Sequence, residues 1–344
     1  MVAADLNGDG KPDLIALGSN MQDLVWYENP GWQRHVIASG FSGMINCAVV
    51  PAASGKIPDI VVASAFNTEP SRSVGKVSVL RHNGDPRELW TVQEIDQLTT
   101  SHRLRIADID GSGKPVVVNA PLLGAKATAP DYHDQTPLVF YRPGEWKRQL
   151  IGDENSGVVH CIYPIDWDGD GRDEILTASF VGIDLFKFGK DGKWTRTEIA
   201  KGDPTPWPKS GSSDVAVGKL GAARFLAAIE PWHGNQVAVY RQSGAQWARQ
   251  VIDSSLVDGH TILAADLNGD GLDEVVAGFR GQGRSVYIYS AADPAGEHWT
   301  RAALDAGGMA ASSCALADFN ADGRPDIACI DGTRLKWYEN LGAK

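Results

Sequence analysis

No run in the sequence is long and apolar enough to cross a membrane, and no apolar stretch keeps helical spacing. Neither a spanning helix nor a helical core is therefore expected. Basic residues are outnumbered, 32 Lys and Arg against 43 Asp and Glu, for a formal net charge of −11. That balance argues against nucleic acid or an anionic membrane surface as a partner. Cysteine is scarce: Cys47, Cys161, Cys314 and Cys329 are too few for a disulfide framework. Cys314 and Cys329 could face each other across one hairpin, but buried free thiols are expected. No targeting segment is recognisable. Glycine (38) and proline (18) are plentiful, which suits many tight turns.

What the chain does have is repetition. DLNGDGKPD at 5–13 returns as DIDGSGKPV (108–116), DWDGDGRDE (166–174), DLNGDGLDE (266–274) and DFNADGRPD (318–326). Each copy is followed by a short aliphatic run. Oxygen-bearing side chains fall at loop positions one, three, five and nine, with a glycine where the chain must turn. That is how a hard cation such as Ca²⁺ is wrapped. The ligand residues are Asp5, Asn7, Asp9 and Asp13; Asp108 and Asp110; Asp166, Asp168, Asp170 and Glu174; Asp266, Asn268, Asp270 and Glu274; and Asp318, Asn320, Asp322 and Asp326. Four or five structural Ca²⁺ sites are expected, and the bound ions would offset most of the net charge. PAASGKIPD (51–59) and VGKLGAARF (217–225) are degenerate copies.

A second mark follows most units: WQRHVI (32–37), WTVQEI (90–95), WKRQLI (146–151), WTRTEI (194–199), WARQVI (247–252) and WTRAAL (299–304). These tryptophans repeat with the units and are read as packing residues. Repeats of this length built from short strands predict a propeller. The expected fold is all-β, a seven-bladed β-propeller with DxDGDGxxD-type loops between strands A and B of a blade. It forms one domain, 1–344, with blades near 1–38, 41–98, 101–153, 157–201, 211–254, 258–305 and 310–341. Unit seven ends after LKWYEN, and unit one has only Met1–Ala4 before its loop. The expectation is that the complement lay upstream of Met1, trimmed with a signal segment. Calcium is scarce in cytosol and plentiful outside it, so a periplasmic or extracellular location is expected.

Propeller topology puts the cation loops on one face and the D–A and B–C connections on the other, around the channel mouth. His102, His160 and His260 each precede the first aspartate of their loop by six residues. Three imidazoles at one step of three A strands predict a shared pocket, with Zn²⁺ or another divalent metal as the candidate ligand. The bland alternative is a polar lining bonded to water. The loop IEPWHG adds Glu230, Trp232 and His233, a sugar platform beside acid–base groups, and Arg280 could grip a carboxylate or oxyanion. Asn46 and the loop FNTEPSR (66–72) come from blade two. The longest insertion, 121–137, carries Tyr132, His133 and Asp134 as a candidate lid. His35, His82 and His298 are assigned to solvated edges and turns.

The repeat loops resemble those of the FG-GAP/VCBS repeat superfamily along the whole chain, a functionally mixed group. The segments SHRLRIADIDG, VVHCIYPIDWDGDG, IEPWHGNQVAVY and DGHTILAADLNGDG look more narrowly like the propeller domain of fungal aldos-2-ulose dehydratases. The resemblance implies a carbon–oxygen lyase, with metal-assisted β-elimination on a keto-sugar, keto-glycoside or uronate. His160, His233, Tyr132, Glu230 and Arg280 are then the candidate catalytic residues, and Trp232, Asn46, His133 and Asp134 the candidate substrate contacts. The rival is a non-catalytic carbohydrate- or protein-binding propeller. A glycoside hydrolase needs two facing carboxyl groups, and only Glu230 is in a suitable place.

Overall fold

Each repeat supplies β-branched and aliphatic segments separated by Gly-, Asn- and Pro-rich turns, so each segment pairs antiparallel with the next. A computed structural model describes residues 1–53, 56–244 and 246–342. Ser54 and Gly55, within the degenerate loop at 51–59, lie outside the described residues. Among those described there are six four-stranded sheets and one three-stranded sheet, and strands adjacent in a sheet are adjacent in sequence. These meanders are the blades of an all-β, seven-bladed β-propeller, as the repeats predict. The one helical element described is the 3₁₀ turn Pro70–Arg72. No helix among the described residues is long and apolar enough to cross a membrane.

The chain comprises two compact units, Met1–Glu198 and Ile199–Lys344. The first holds blades one to four, and the second holds blades five to seven. Blade one opens on the short strand Val2–Ala4, and blade seven has three strands, the last being Leu335–Tyr338. Within a blade, burial is deepest at the second strand and falls towards the outermost. Val116–Pro121 is buried at every residue, whereas Trp194–Ala200 exposes four of its residues in a row. The inner strands are covered on both faces and read as continuous apolar runs; the outer strands are not.

Neighbouring blades share cores. Leu6, Ile15, Trp26 and Ile37 of blade one pack on Cys47, Ile60, Val62 and Leu80 of blade two. Blade three meets blade four through Val116, Val118, Phe140, Ile162, Ile175 and Phe186. In the second unit Val276 and Val286 meet Met309, Cys314 and Ile327. The repeated tryptophans belong to this packing: the Trp194 ring lies 6.1 Å from Phe140, and Trp299 lies 5.6 Å from Phe225.

A polar clasp accompanies the apolar contact. Asp96, on the outer strand of blade two, accepts Tyr141 Oη at 2.6 Å and Arg148 Nε at 2.7 Å from blade three. Asp253 of blade five accepts Tyr289 Oη and Arg301 Nη1 of blade six at 2.8 and 2.7 Å. Asp305 of blade six takes Tyr338 Oη and Lys336 Nζ of blade seven at 2.7 and 2.6 Å.

Two expectations are corrected. Cys314 and Cys329 are register partners on adjacent strands, and they form a disulfide instead of remaining free thiols. Cys47 and Cys161 are free and buried. His35 is no solvated edge residue: it lies 4.8 Å from the Trp26 ring, with Nε2 on Glu28 at 2.9 Å.

Candidate functional site

Of the predicted histidines, His102 and His160 belong to the first unit, and His233 and His260 to the second. In the first unit His102 begins on Ser101–Ala107 and His160 on Val159–Ile165, and both are buried. Their rings lie 5.0 Å apart, with Phe66 5.3 Å from His102. Arg103 reaches both Nε2 atoms, at 3.4 Å for His102 and 3.3 Å for His160. A guanidinium can only donate, so the nitrogen facing it must carry a lone pair. The pair is thus presented as neutral imidazoles next to a fixed positive charge.

In the second unit the strand Ala223–Glu230 ends in a tight turn that brings out Trp232 and His233. Gly234 permits the turn, since a Cβ there would lie 2.2 Å from the Glu230 carbonyl oxygen. His233 sits at φ 49°, left-handed backbone that a non-glycine residue holds only under constraint. Its ring lies 4.9 Å from Trp232 and 5.0 Å from His260. Nδ1 of His233 is 3.2 Å from Arg280 Nη2 and 3.2 Å from Asp258 Oδ1. Burial opposes ionisation of Asp258, but bonds from His233 and Arg280 outweigh it and hold the carboxyl well below the usual range. His260 Nδ1 lies 2.6 Å from the Ser312 carbonyl oxygen. That bond fixes the proton on Nδ1 and leaves Nε2 basic, the state a metal-ligating imidazole needs.

Other candidates are placed differently. Glu230 is fully buried, accepting Ser212 Oγ at 2.8 Å, Arg249 Nε at 2.7 Å and the Tyr240 hydroxyl. Burial pushes its pKa up, against the pull of Tyr240 and Arg249. The carboxylate expected beside the mouth is therefore enclosed in a structural cluster. Asn46 spends its carbonyl oxygen on Leu104 N at 2.9 Å and Arg105 Nη1 at 3.2 Å. Asp134 closes its own loop by accepting Lys126 N at 2.7 Å. His133 is exposed. Tyr132 packs edge-on to Phe180 at 6.4 Å. It also lines a hollow of about 450 Å³ between residues 68–71 and 125–129, so the two loops singled out in the sequence do face each other.

The repeat loops adopt one conformation. Asp5 accepts Gly8 N and Gly10 N, Asp166 accepts Gly169 N and Gly171 N, and Asp266 accepts Gly269 N and Gly271 N. The acid at position nine takes the amide at position two, as in Asp13 with Leu6, Glu174 with Trp167, Glu274 with Leu267 and Asp326 with Phe319. Ligand atoms of Asp166, Asp168 and Glu174 converge to within 4.8 Å of one another. The sequence reading missed position eight. Asp173 accepts Asp108 N, and Asp273 accepts Lys219 N, latching each loop to that of the preceding blade. It also missed Arg103 and Asp258, although SHRL and DGH place both beside predicted histidines.

Repeat loops and sequential, mostly four-stranded sheets define the class as a repeat β-propeller. An FG-GAP-like repeat matches residues 266–329, and the β-propeller domain of aldos-2-ulose dehydratase matches residues 74–243. Aldos-2-ulose dehydratase of Phanerodontia chrysosporium is 28% identical over 301 residues, covering 77% of this chain and 33% of that protein. The chain thus spans about a third of the length of the curated relative it matches. A lectin of Agrocybe aegerita, solved for its recognition of non-reducing terminal N-acetylglucosamine, superposes with a TM-score of 0.60 at 15% identity. That match covers 98% of this chain and 89% of the lectin. A putative 6-phosphogluconolactonase of Bacteroides fragilis gives 0.58 at 13% identity, covering 98% and 96%. At such identities the likeness shows the fold alone.

Proposed function

We propose that the chain is a carbohydrate-binding propeller that catalyses β-elimination from a keto-sugar, keto-glycoside or uronate, as a carbon–oxygen lyase. The observation that carries this reading is the contact of His233 Nδ1 with both Asp258 and Arg280. Elimination needs a carbonyl or carboxylate polarised so that the α-proton becomes acidic, and a base to take that proton. Arg280 supplies fixed positive charge for the substrate oxygen. With Arg280 spending Nε and Nη2 on the Asp258 carboxylate, Nδ1 of His233 is read as donating to Asp258 beside it, which leaves Nε2 as the base. The α C–H bond breaks towards His233, the electron pair forms the C=C bond, and the C–O bond to the leaving group breaks. A water molecule gives the departing oxygen its proton. His260 Nε2 is the imidazole nitrogen best suited to a divalent ion, which when bound supplies Lewis-acid polarisation of the carbonyl. The Asp-rich loops are proposed as structural Ca²⁺ sites, and the location as periplasmic or extracellular, where a disulfide also persists.

A second reading, a sugar-binding module without catalysis, is favoured by Arg103. Its hold on His102 and His160 makes that cluster a set of hydrogen-bonding groups. A panel of keto-sugars, 3-keto-glycosides and uronate oligosaccharides separates the two. Elimination leaves a conjugated double bond, so ultraviolet absorbance should rise with at least one member and stay flat for His233→Ala. Calorimetric binding of a panel sugar without any absorbance change would leave only the binding reading.

A further inference from the structure

One register position, opposite loop position nine, sets the charge that each blade places against its repeat loop. The pairings Leu14–Tyr27, Ile175–Phe186, Val275–Tyr289 and Ile327–Tyr338 put Glu28 opposite Asp13, Lys187 opposite Glu174, Ser290 opposite Glu274 and Glu339 opposite Asp326. In the blades with reduced loops the same position is Arg81 opposite Asp59, Arg142 opposite Val116 and Arg241 opposite Phe225. Where the loop has lost ligand residues, then, the partner is arginine. Where the loop is complete, the partner is glutamate or serine, with one exception.

That exception is Lys187. Its ammonium contacts Asp168, lies 3.2 Å from Asp170 Oδ2 and 2.9 Å from Glu174 Oε1. In blade three Arg142 does the same to Asp110 at 3.2 Å. In blades one and seven Glu28 and Glu339 instead accept the amide of loop position three, Asn7 and Asn320, at 3.0 Å. Glu28 is also bonded to Arg87 and His35. Arg172 and Arg324, at position seven of their own loops, sit on Asp170 and Asp322 in a lysine-partnered and a glutamate-partnered blade alike. They do not distinguish the two kinds of blade, whereas the position-nine partner does. Two of the three carboxylates that converge at 166–174, Asp168 and Glu174, already hold a positive charge. A divalent ion would have to displace that charge or bind against its repulsion.

We propose that the Lys187 ammonium is the resident cation of the loop at 166–174. This loop, complete in ligand residues, then takes no divalent ion, and divalent binding is confined to 5–13, 266–274 and 318–326. The proposal rests on the calcium reading of those three loops, and the test separates the two. Equilibrium dialysis of the full chain against Ca²⁺ should give one ion for each of the three loops. Lys187→Met and Lys187→Gln should each bind one ion more, and Lys187→Arg, which keeps the charge, should match the parent. Each variant is checked for a cooperative melt before dialysis. A neutral variant that binds no more ions than the parent overturns the lysine proposal. A parent that binds none while the neutral variants bind one removes the calcium reading of the other loops and keeps the proposal. No ion in any protein overturns both.

Discussion

Arg280 holds Asp258 through two parallel bonds, Nε to Oδ2 at 3.1 Å and Nη2 to Oδ1 at 3.0 Å. His233 Nδ1 meets both partners at the Nη2–Oδ1 edge of that pair. If His233 is the base, His233→Ala should lower turnover on the responsive panel substrate by ~10²–10⁴-fold. Asp258→Asn should also lose turnover while KM changes little, because the asparagine can no longer hold the imidazole proton as a carboxylate does. Arg280→Met should lower turnover as well, because the charge it removes polarises the substrate oxygen in the transition state. Steady-state kinetics on the three variants, each with a melting curve, check this.

Glu230 should prove to be a stability residue. Arg249→Ala would leave a fully buried carboxylate without its cation, a change that typically costs about 3–5 kcal/mol. Glu230→Gln should lower the melting temperature and leave turnover per folded molecule unchanged. A loss of turnover larger than the loss of folded protein would return Glu230 to the catalytic set.

Removal of calcium should destabilise the chain by linkage, about 2.7 kcal/mol per site for an ion present at 100 times its Kd. Calorimetric scans with excess Ca²⁺ and with chelator should therefore differ by several degrees. Asp270→Ala should remove part of the difference, since the loop at 266–274 has no basic partner. Identical scans, on protein shown to have been loaded, would mean that the loops do not need an ion.

The clasp aspartates give the fold an acid limit. Burial opposes ionisation of Asp96, Asp253 and Asp305, yet hydrogen bonds from tyrosine and from arginine or lysine hold all three below the usual carboxylate range. A group with a depressed folded pKa contributes stability that is present above its unfolded pKa and is lost as pH falls through the folded value. Thermal stability should therefore hold at neutral pH and decline below about pH 4. Asp96→Asn or Asp253→Asn should lower the melting temperature at pH 7 and flatten that decline.

The blades were legible because a repeat states its period many times over. Aliphatic runs, glycine turns and the tryptophans of 90–95 or 194–199 all agree on where strands begin. The repeat step also puts His102, His160 and His260 on A strands, Ser101–Ala107, Val159–Ile165 and Gly259–Ala265. What was not legible depends on pairing across strands. Glu230 looked open because a Trp and a His follow it, and only the pairing with Tyr240 and Arg249 shows it enclosed. Cys314 and Cys329 lie 15 residues apart; the sequence allows them to face each other across a hairpin, and only the observed register makes them partners. Lys187 carried no motif at all. Its meaning comes from standing opposite Glu174.

The disulfide of the last blade encloses the loop at 318–326 between its two cysteines. The hairpin is thus fastened at one end by a covalent bond and, on the calcium reading, at the other by an ion. Chelation and reduction become two separate keys to the same hairpin. Either one alone leaves the hairpin with the other fastening, so the two treatments together should lower its stability more than either does singly.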